Sequence, residues 1–468
     1  MEISSEPPNP HALARYSYWI LLLVVALAPL PFGSNRPWAW SLLSLCVAVL
    51  IILWSVAAVL DSNTLQLSWG RYRPLFFLFA TFIIWSLFQS LAPMPESFWA
   101  PGWQELSDVL GIKPAGVIST TPEQSLTSIM CLLAYGGVFW LAMQVGRRTY
   151  YAKLALWSVV LAGLAYAIYG LIVQLGGNNT ILWFVKWSYR DTLTSTFVNR
   201  NHFSIYAGLS ILCTLALISY EARKATEASI GTRSGFIQFL DNMSIQIVIL
   251  AITFMILATA ILLSQSRAGA LTLVLSIVSF LTILATTSSF AAKSVIRFGL
   301  VILLAGGIFT VMSGSILAMR MIDVSDNLLD RIVVYKTALR AIVDRPFLGY
   351  GLGSFSSVFP AYRGIEFSPN DPSYDYAHNI YLQLALESGI PGAVLFLLTM
   401  ALIVGVCLWG ARQRHRNGFF PALGVAATVL VGCHGMVDFA LQIPAIAVTY
   451  SLILGIAYSQ AWSTGLNE

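Results

Sequence analysis

Apolar runs follow one another along most of this chain, each roughly 20 residues long and so able to cross a hydrocarbon core of about 30 Å as a helix. They predict about twelve spans, over residues 17–32, 38–60, 75–92, 124–145, 154–175, 202–220, 244–263, 268–288, 298–318, 391–411, 419–436 and 444–463. Lipid offers the backbone no water, so each run is expected to be an α-helix whose hydrogen bonds close within it. The pattern lapses for one long stretch, from Arg320 to His378, where Arg320, Arg331, Lys336, Arg340, Arg345 and Arg363 gather. The chain therefore reads as an all-α polytopic membrane protein. One membrane domain covers 1–468, and a large loop between the ninth and tenth spans forms a subdomain over 319–390.

Composition agrees. The chain is 57% hydrophobic and 10% charged with a mean hydropathy of +0.75, against about 25% charged in soluble domains. The first apolar run, from Trp19 to Pro31, lacks a small-residue cleavage site and is expected to stay as a span. Cys46, Cys131, Cys213, Cys407 and Cys433 lie in or beside apolar runs without short paired spacing, which suits buried small hydrophobes better than zinc ligands or disulfides. A net charge of +5 is too small to point to nucleic acid.

Charge placement says more. One set of loops holds Arg71, Arg73, Arg147, Arg148, Lys153, Arg223, Lys224, Arg233, Lys293, Arg297, Arg412, Arg414 and Arg416; the other holds few cations, such as Arg36, Lys113 and Arg267. The positive-inside rule makes the first set cytoplasmic, which places both termini in the cytoplasm and the polar loop outside it. On that outer side, Trp99 and Trp103 predict a short interfacial helix. Thr121-Pro-Glu-Gln124 predicts a capping box with proline at the first helical position.

Within the polar loop, apolar residues at spacings of 3, 4 and 7 predict a helix from Asp326 to Val343, with Arg331 and Tyr335 on one face. Gly349, Gly351 and Gly353 then read either as a flexible turn or as close backbone approach to a ligand. They are not a dinucleotide fingerprint, because they follow a helix. His378 and Asn379 open the next helix, which Gly389 ends before Pro391 starts a span. A histidine in a first helical turn is held neutral by the helix dipole and suits a general base; the plainer reading is an ordinary capping residue. Arg267 lies between two apolar runs, either reaching the interface or clamping phosphate oxygens. Arg200 stands beside Asn199, Asn201 and His202 at the mouth of the sixth span. His434 and Asp438, four apart, are expected to pair on one helix face; without further ligands they do not argue for a metal.

These residues resemble the O-antigen ligase family. His378-Asn379 followed by Gly389 and Gly392 resembles its signature, and so does the position before the tenth span. Asp330 to Tyr335, Pro346 to Gly353, Thr196 to Phe203, Ser264 to Gly269 and His434 to Phe439 resemble family blocks, with Tyr335 where members carry tryptophan. The resemblance implies a glycosyltransferase of GT-C architecture that takes a glycan from undecaprenyl diphosphate. The acceptor is a sugar, in the lipid A core for ligases or in another lipid-linked repeat for polymerases. It implies a bacterial inner-membrane enzyme with a periplasmic site and no metal or other cofactor. Arg267 and Arg331 would bind diphosphate, with Arg200 joining them, and His378 would act on the acceptor hydroxyl; Tyr335, Asn379, His202, His434 and Asp438 would support them. The alternatives are a polymerase of the same superfamily and, more distantly, a twelve-helix transporter, which the absence of a visible internal repeat disfavours.

Overall fold

A computed structural model describes residues 9–111, 115–228, 244–286, 324–364, 367, 374–414 and 416–462, with side chains left aside for 225–228 and 324–330. The chain is helical almost throughout: α1 Ala12–Leu27, α2 Pro37–Leu60, α3 Trp69–Leu91, α4 Trp103–Leu110, α5 Pro122–Val145 and α6 Thr149–Leu175 come first. A two-residue hairpin, Thr180–Ile181 with Phe184–Val185, precedes α7 Arg200–Ala228, α8 Ile245–Ser264 and α9 Arg267–Thr286. Then follow α10 Val324–Asp344, the single turn α11 Phe355–Val358, α12 Ile380–Gln413, α13 Phe419–His434 and α14 Pro444–Gln460. Among the described residues, 8 helices are long and apolar enough to cross a membrane. Each predicted span coincides with a helix except the ninth, 298–318, which lies outside the described residues. So do Lys113, Arg233, Lys293, Arg297 and Arg320.

α7 is the axis of the bundle: its apolar window is 94% buried, whereas the other candidate spans bury less than half of theirs. α14 is buried along its whole length beside it. The outer helices turn Leu45, Ile52, Val59, Ile84 and Leu271 outward, as helices in lipid do. Helices gain little from hiding apolar surface in lipid, so their association rests on close packing of small residues. A Cβ at Gly455 of α14 would stand 2.5 Å from the Phe139 carbonyl of α5, and one at Gly163 of α6 would stand 2.2 Å from Ser210 Oγ of α7.

Contacts sort the connections into two ends. At one end His11 N meets Thr64 Oγ1 at 3.3 Å and Tyr458 Oη donates to the Arg71 carbonyl at 2.6 Å. There the buried Arg147 and Arg414 donate to the last carbonyls of α14, Ser459 at 2.7 Å and Gln460 at 2.6 Å, where cations favour a helix terminus. At the other end Arg345 reaches the Phe98 carbonyl at 2.7 Å, and Leu193 N meets the Leu263 carbonyl at 3.1 Å. Among the described residues, the basic loops at Arg71, Arg147 and Arg414 thus share one end, and the Arg331–His378 region occupies the other.

Two local expectations change. Thr121 is the N-cap of α5 with Pro122 at the first position, but its side chain makes no capping bond; Ser119 Oγ accepts from Thr121 N at 3.2 Å instead. The first two glycines of the run, Gly349 and Gly351, are closely packed. α12 breaks at Gly389 (φ 70°, ψ 166°), and Pro391 has no N–H for the carbonyl four residues before it. Gly351 N takes up that orphaned Glu387 carbonyl at 2.8 Å, while Ile390 N bonds the Pro346 carbonyl at 2.7 Å. A Cβ on Gly389 would stand 2.4 Å from the Phe347 carbonyl oxygen. Gly389→Ala is therefore expected to lose roughly 1–3 kcal/mol through backbone strain alone, seen as a lower unfolding temperature in detergent; an unchanged midpoint would contradict this packing.

Candidate active site

The chain turns sharply after α13, and this turn collects the site. Ile380 N donates to the Gly435 carbonyl at 2.8 Å and Asn379 Nδ2 to the Met436 carbonyl at 3.0 Å. Arg331 Nη1 donates to the Val437 carbonyl at 2.6 Å. Tyr335 Oη lies 3.0 Å from the His378 carbonyl and 3.1 Å from that of Met436. Arg331 and Tyr335 do share a face of α10, as their spacing predicts, and that face holds the turn and His378 together.

His378 stands outside α12, not within its first turn. Asn379 is the N-cap, its Oδ1 accepting from Leu382 N at 3.0 Å. His378 itself is left-handed at φ 53°, an uncommon conformation for a residue with a Cβ. Its neighbours hold it there: Ala377 N donates to Gln383 Oε1 at 3.1 Å, beside the Tyr335 bond to its carbonyl. Nδ1 lies 3.1 Å from the Tyr376 carbonyl. A carbonyl only accepts, so Nδ1 carries the hydrogen and Nε2 is left with the lone pair. Burial pushes the imidazole below its ordinary value, Asp438 pulls it back up and Arg331 lowers it further. The shift is toward the neutral ring, and burial rather than a helix dipole is its main cause.

Asp438 is 1% exposed and anchors the second half of the site. It accepts from Asn201 Nδ2 at 2.6 Å and from Phe439 N at 2.7 Å. His202 Nε2 lies 3.4 Å away and His434 Nε2 4.0 Å. Burial alone would raise this carboxyl; His202, His434 and Asn201 overcome it and hold the group well below the usual carboxylate range. His434 ends α13 and Asp438 lies beyond it, so they meet across a turn and not along a helix face. Ser266 Oγ donates to Asn201 Oδ1 at 2.8 Å, tying the start of α9 to the start of α7.

Arg200 heads α7 with its guanidinium 5.5 Å over the Tyr189 ring. Burial raises the Tyr189 phenol, Asp438 adds to this, and Arg200 and Arg331 oppose it. Arg267 heads α9 on the exposed surface, next to the hydrogen-bonded Ser266. The geometry thus joins His378, Arg331, Tyr335, Asn379, His202, His434 and Asp438 through direct contacts, with Arg200 linked through Tyr189 and Arg267 at the edge. The positive ends of α7 and α9 add to this cationic character. Phe439 sits at the centre, its ring edge-on to His202 at 4.8 Å and to His378 at 4.9 Å. Sequence reasoning did not single out Phe439, Tyr376, Gln383 or Tyr189. Gln383 and Glu387, four apart on an apolar helix, were a readable sign; Tyr189 sits in an aperiodic segment that offers none.

The electrostatics give a measurable order. Modification of His378 by diethyl pyrocarbonate, mapped by mass spectrometry against pH, should have its midpoint below 6.5. Removing a nearby cation favours the imidazolium, so Arg331→Ala should move the midpoint up; Asp438→Asn removes an anion and should move it down. A midpoint above 6.5 or shifts of opposite sign would refute the assignment of causes.

A search of curated proteins found no match to this chain. Residues 252–397 match the family described as O-antigen ligase, a stretch that begins in α8 and ends in α12. That stretch contains Arg267, Arg331, Tyr335, His378 and Asn379, while Arg200, His202, His434 and Asp438 lie outside it.

Proposed function

We propose that this protein is a membrane glycosyltransferase that moves a glycan from undecaprenyl diphosphate to the hydroxyl of an acceptor sugar. The observation that carries the reading is the buried His378 imidazole, its Nδ1 on the Tyr376 carbonyl and its Nε2 left as the basic nitrogen, held at the same turn as the Arg331 guanidinium. The family match over this stretch supports the reaction class. The positive-inside rule supports a periplasmic site in a bacterial inner membrane with both termini cytoplasmic, because the Arg147–Arg414 end lies opposite.

The acceptor hydroxyl gives its proton to His378 Nε2 as its oxygen attacks the anomeric carbon. The bond from that carbon to the diphosphate oxygen breaks, and its electron pair leaves with the diphosphate. Arg331, Arg200 and Arg267 neutralise the charge that develops there, a task suited to guanidinium groups. Asp438 stabilises the imidazolium once formed, since its carboxylate already raises the His378 affinity for a proton. His202, His434 and Asn379 hold Asp438 and the turn in place. Ligation to a lipid A core and polymerisation onto another lipid-linked repeat differ in the acceptor, and the same residues serve both.

In a reconstituted assay with purified lipid donor, His378→Ala should lose roughly 10²–10⁴-fold in rate, the usual share of a general base. Arg331→Ala should lose about 3 kcal/mol of transition-state stabilisation, on the scale of a deleted oxyanion donor. Both variants should elute as monodisperse protein. Wild-type transfer by both would sink the proposal.

A further inference from the structure

The outer loop that joins α6 to α7 doubles back along α6. That helix turns Leu161, Ile168, Ile172 and Leu175 outward, at spacings of 7, 4 and 3, so one stripe of it faces lipid up to its last residue. The hairpin that follows is pinned to the same helix, because Leu182 N donates to Tyr169 Oη at 2.5 Å. Tyr169 stands six residues before the end of α6, roughly 9 Å at a rise of ~1.5 Å per residue. Helical side chains lean toward the N-terminus, which in α6 is the Arg147 end. The hairpin tip thus lies level with the last two turns of the lipid-facing stripe rather than beyond the helix.

The tip carries the wrong chemistry for water. A two-residue hairpin turn in solvent favours Asn, Asp and Gly; here it is Leu182-Trp183, with Leu182 held at φ 55°. Trp183, Val185 and Trp187 are 80%, 70% and 50% exposed. Phe184 meets Phe32 at 5.3 Å and Phe32 meets Trp187 at 5.8 Å, so the hairpin and the α1–α2 turn share one aromatic patch. The exposed Arg36 guanidinium lies 5.6 Å from the Phe32 ring and 5.5 Å from that of Trp187, and it makes no hydrogen bond or ion pair among the described residues. Neither 32–38 nor 180–190 contains Asp or Glu, while Arg36 and Arg190 are both exposed; the nearest acid in sequence is Asp191. Tryptophan and arginine beside a lipid-facing stripe are the composition of a bilayer interface. The unpaired edges of a two-stranded hairpin would go unsatisfied in hydrocarbon, which sets the depth at the head-group layer.

We propose that this hairpin is an anchor in the outer leaflet: Trp183, Val185 and Trp187 insert among phospholipid head groups, and the Arg36 fork takes a lipid phosphodiester. The rest of the loop carries that anchorage to the site. The buried Lys186 Nζ donates to the Thr192 carbonyl at 3.0 Å, and Thr192 Oγ1 donates to the Tyr189 carbonyl at 3.2 Å. These bonds close the loop that holds Tyr189 under the Arg200 guanidinium. An anchored hairpin therefore fixes the height of Arg200 relative to the phosphate plane. On the proposed function, on which this role of the anchor rests, that is the height at which a lipid diphosphate presents its head.

The test is the depth of a nitroxide at Trp183→Cys or Val185→Cys, in full-length protein whose five native cysteines are replaced by alanine, in nanodiscs of phosphatidylethanolamine and phosphatidylglycerol. Power saturation compares collisions with oxygen, which concentrates in lipid, and with a nickel chelate, which stays in water. Asn178→Cys supplies the water reference and Leu161→Cys the hydrocarbon one. Both hairpin labels should read between the two, within about 5–7 Å of the phosphate plane, the thickness of one interfacial layer. Nickel access equal to that at 178, or exclusion of both reagents as under a protein partner, would overturn the anchor. With the native cysteines kept, lipids brominated near the head group should quench a component of tryptophan fluorescence that Trp183→Phe with Trp187→Phe removes; an unchanged quenched fraction would overturn it as well. Trp183→Asp should raise the apparent KM for the lipid-linked donor roughly tenfold, about the loss of one charge-assisted hydrogen bond, with kcat retained; an unchanged KM would overturn the coupling to Arg200. Depth and quenching are read without turnover, so the anchor stands or falls separately from the transferase reading.

Discussion

Between α13 and α14 the chain leaves helical hydrogen bonding, and polar groups released there find partners elsewhere in the protein. The carbonyls of Gly435, Met436 and Val437 accept from Ile380, from Asn379 and from Arg331. Asp438 accepts from Asn201, whose own oxygen accepts from Ser266. One turn thereby joins α7, α9, α10 and α12. The fold and the site are the same set of bonds here. Arg331 holds the turn through one nitrogen of its fork while its charge still bears on His378, so a planar guanidinium suits both tasks where a lysine would serve only as a point charge.

The same requirement explains the geometry of His378. Its left-handed backbone is uncommon and persists only where the surroundings over-determine it. Tyr335 at its carbonyl and Gln383 at the preceding amide do so. The Tyr335 hydroxyl is the polar tip that holds this carbonyl. A ring fixed at both sides loses little freedom when an acceptor arrives, which is the condition for efficient proton transfer.

Much of this was legible in the sequence, because lipid enforces simple rules. Apolar length gave the helices, and the distribution of Arg and Lys grouped the loops that the contacts place at one end. The spacing of Arg331 and Tyr335 put both on the face that meets His378. What escaped was set by tertiary contact. The dipole argument for His378 gave the right direction through the wrong cause, since burial by Phe439 and its neighbours is invisible to spacing. His434 and Asp438 were paired along a helix that in fact ends at His434, and the pairing survives only because the turn brings the carboxylate back. The capping box at Thr121 was displaced by Ser119, whose nearness depends on the loop that packs against it. Tyr189 carries no periodic signal, yet it lies under the Arg200 guanidinium.

Phe439 ties these strands together. It is bracketed by His202 and His378 on one side and by Tyr376 on the other. On the proposed function, Phe439 sets the spacing between His378, the proposed base, and the Asp438–His202 cluster, because one ring fills the space between the two imidazoles.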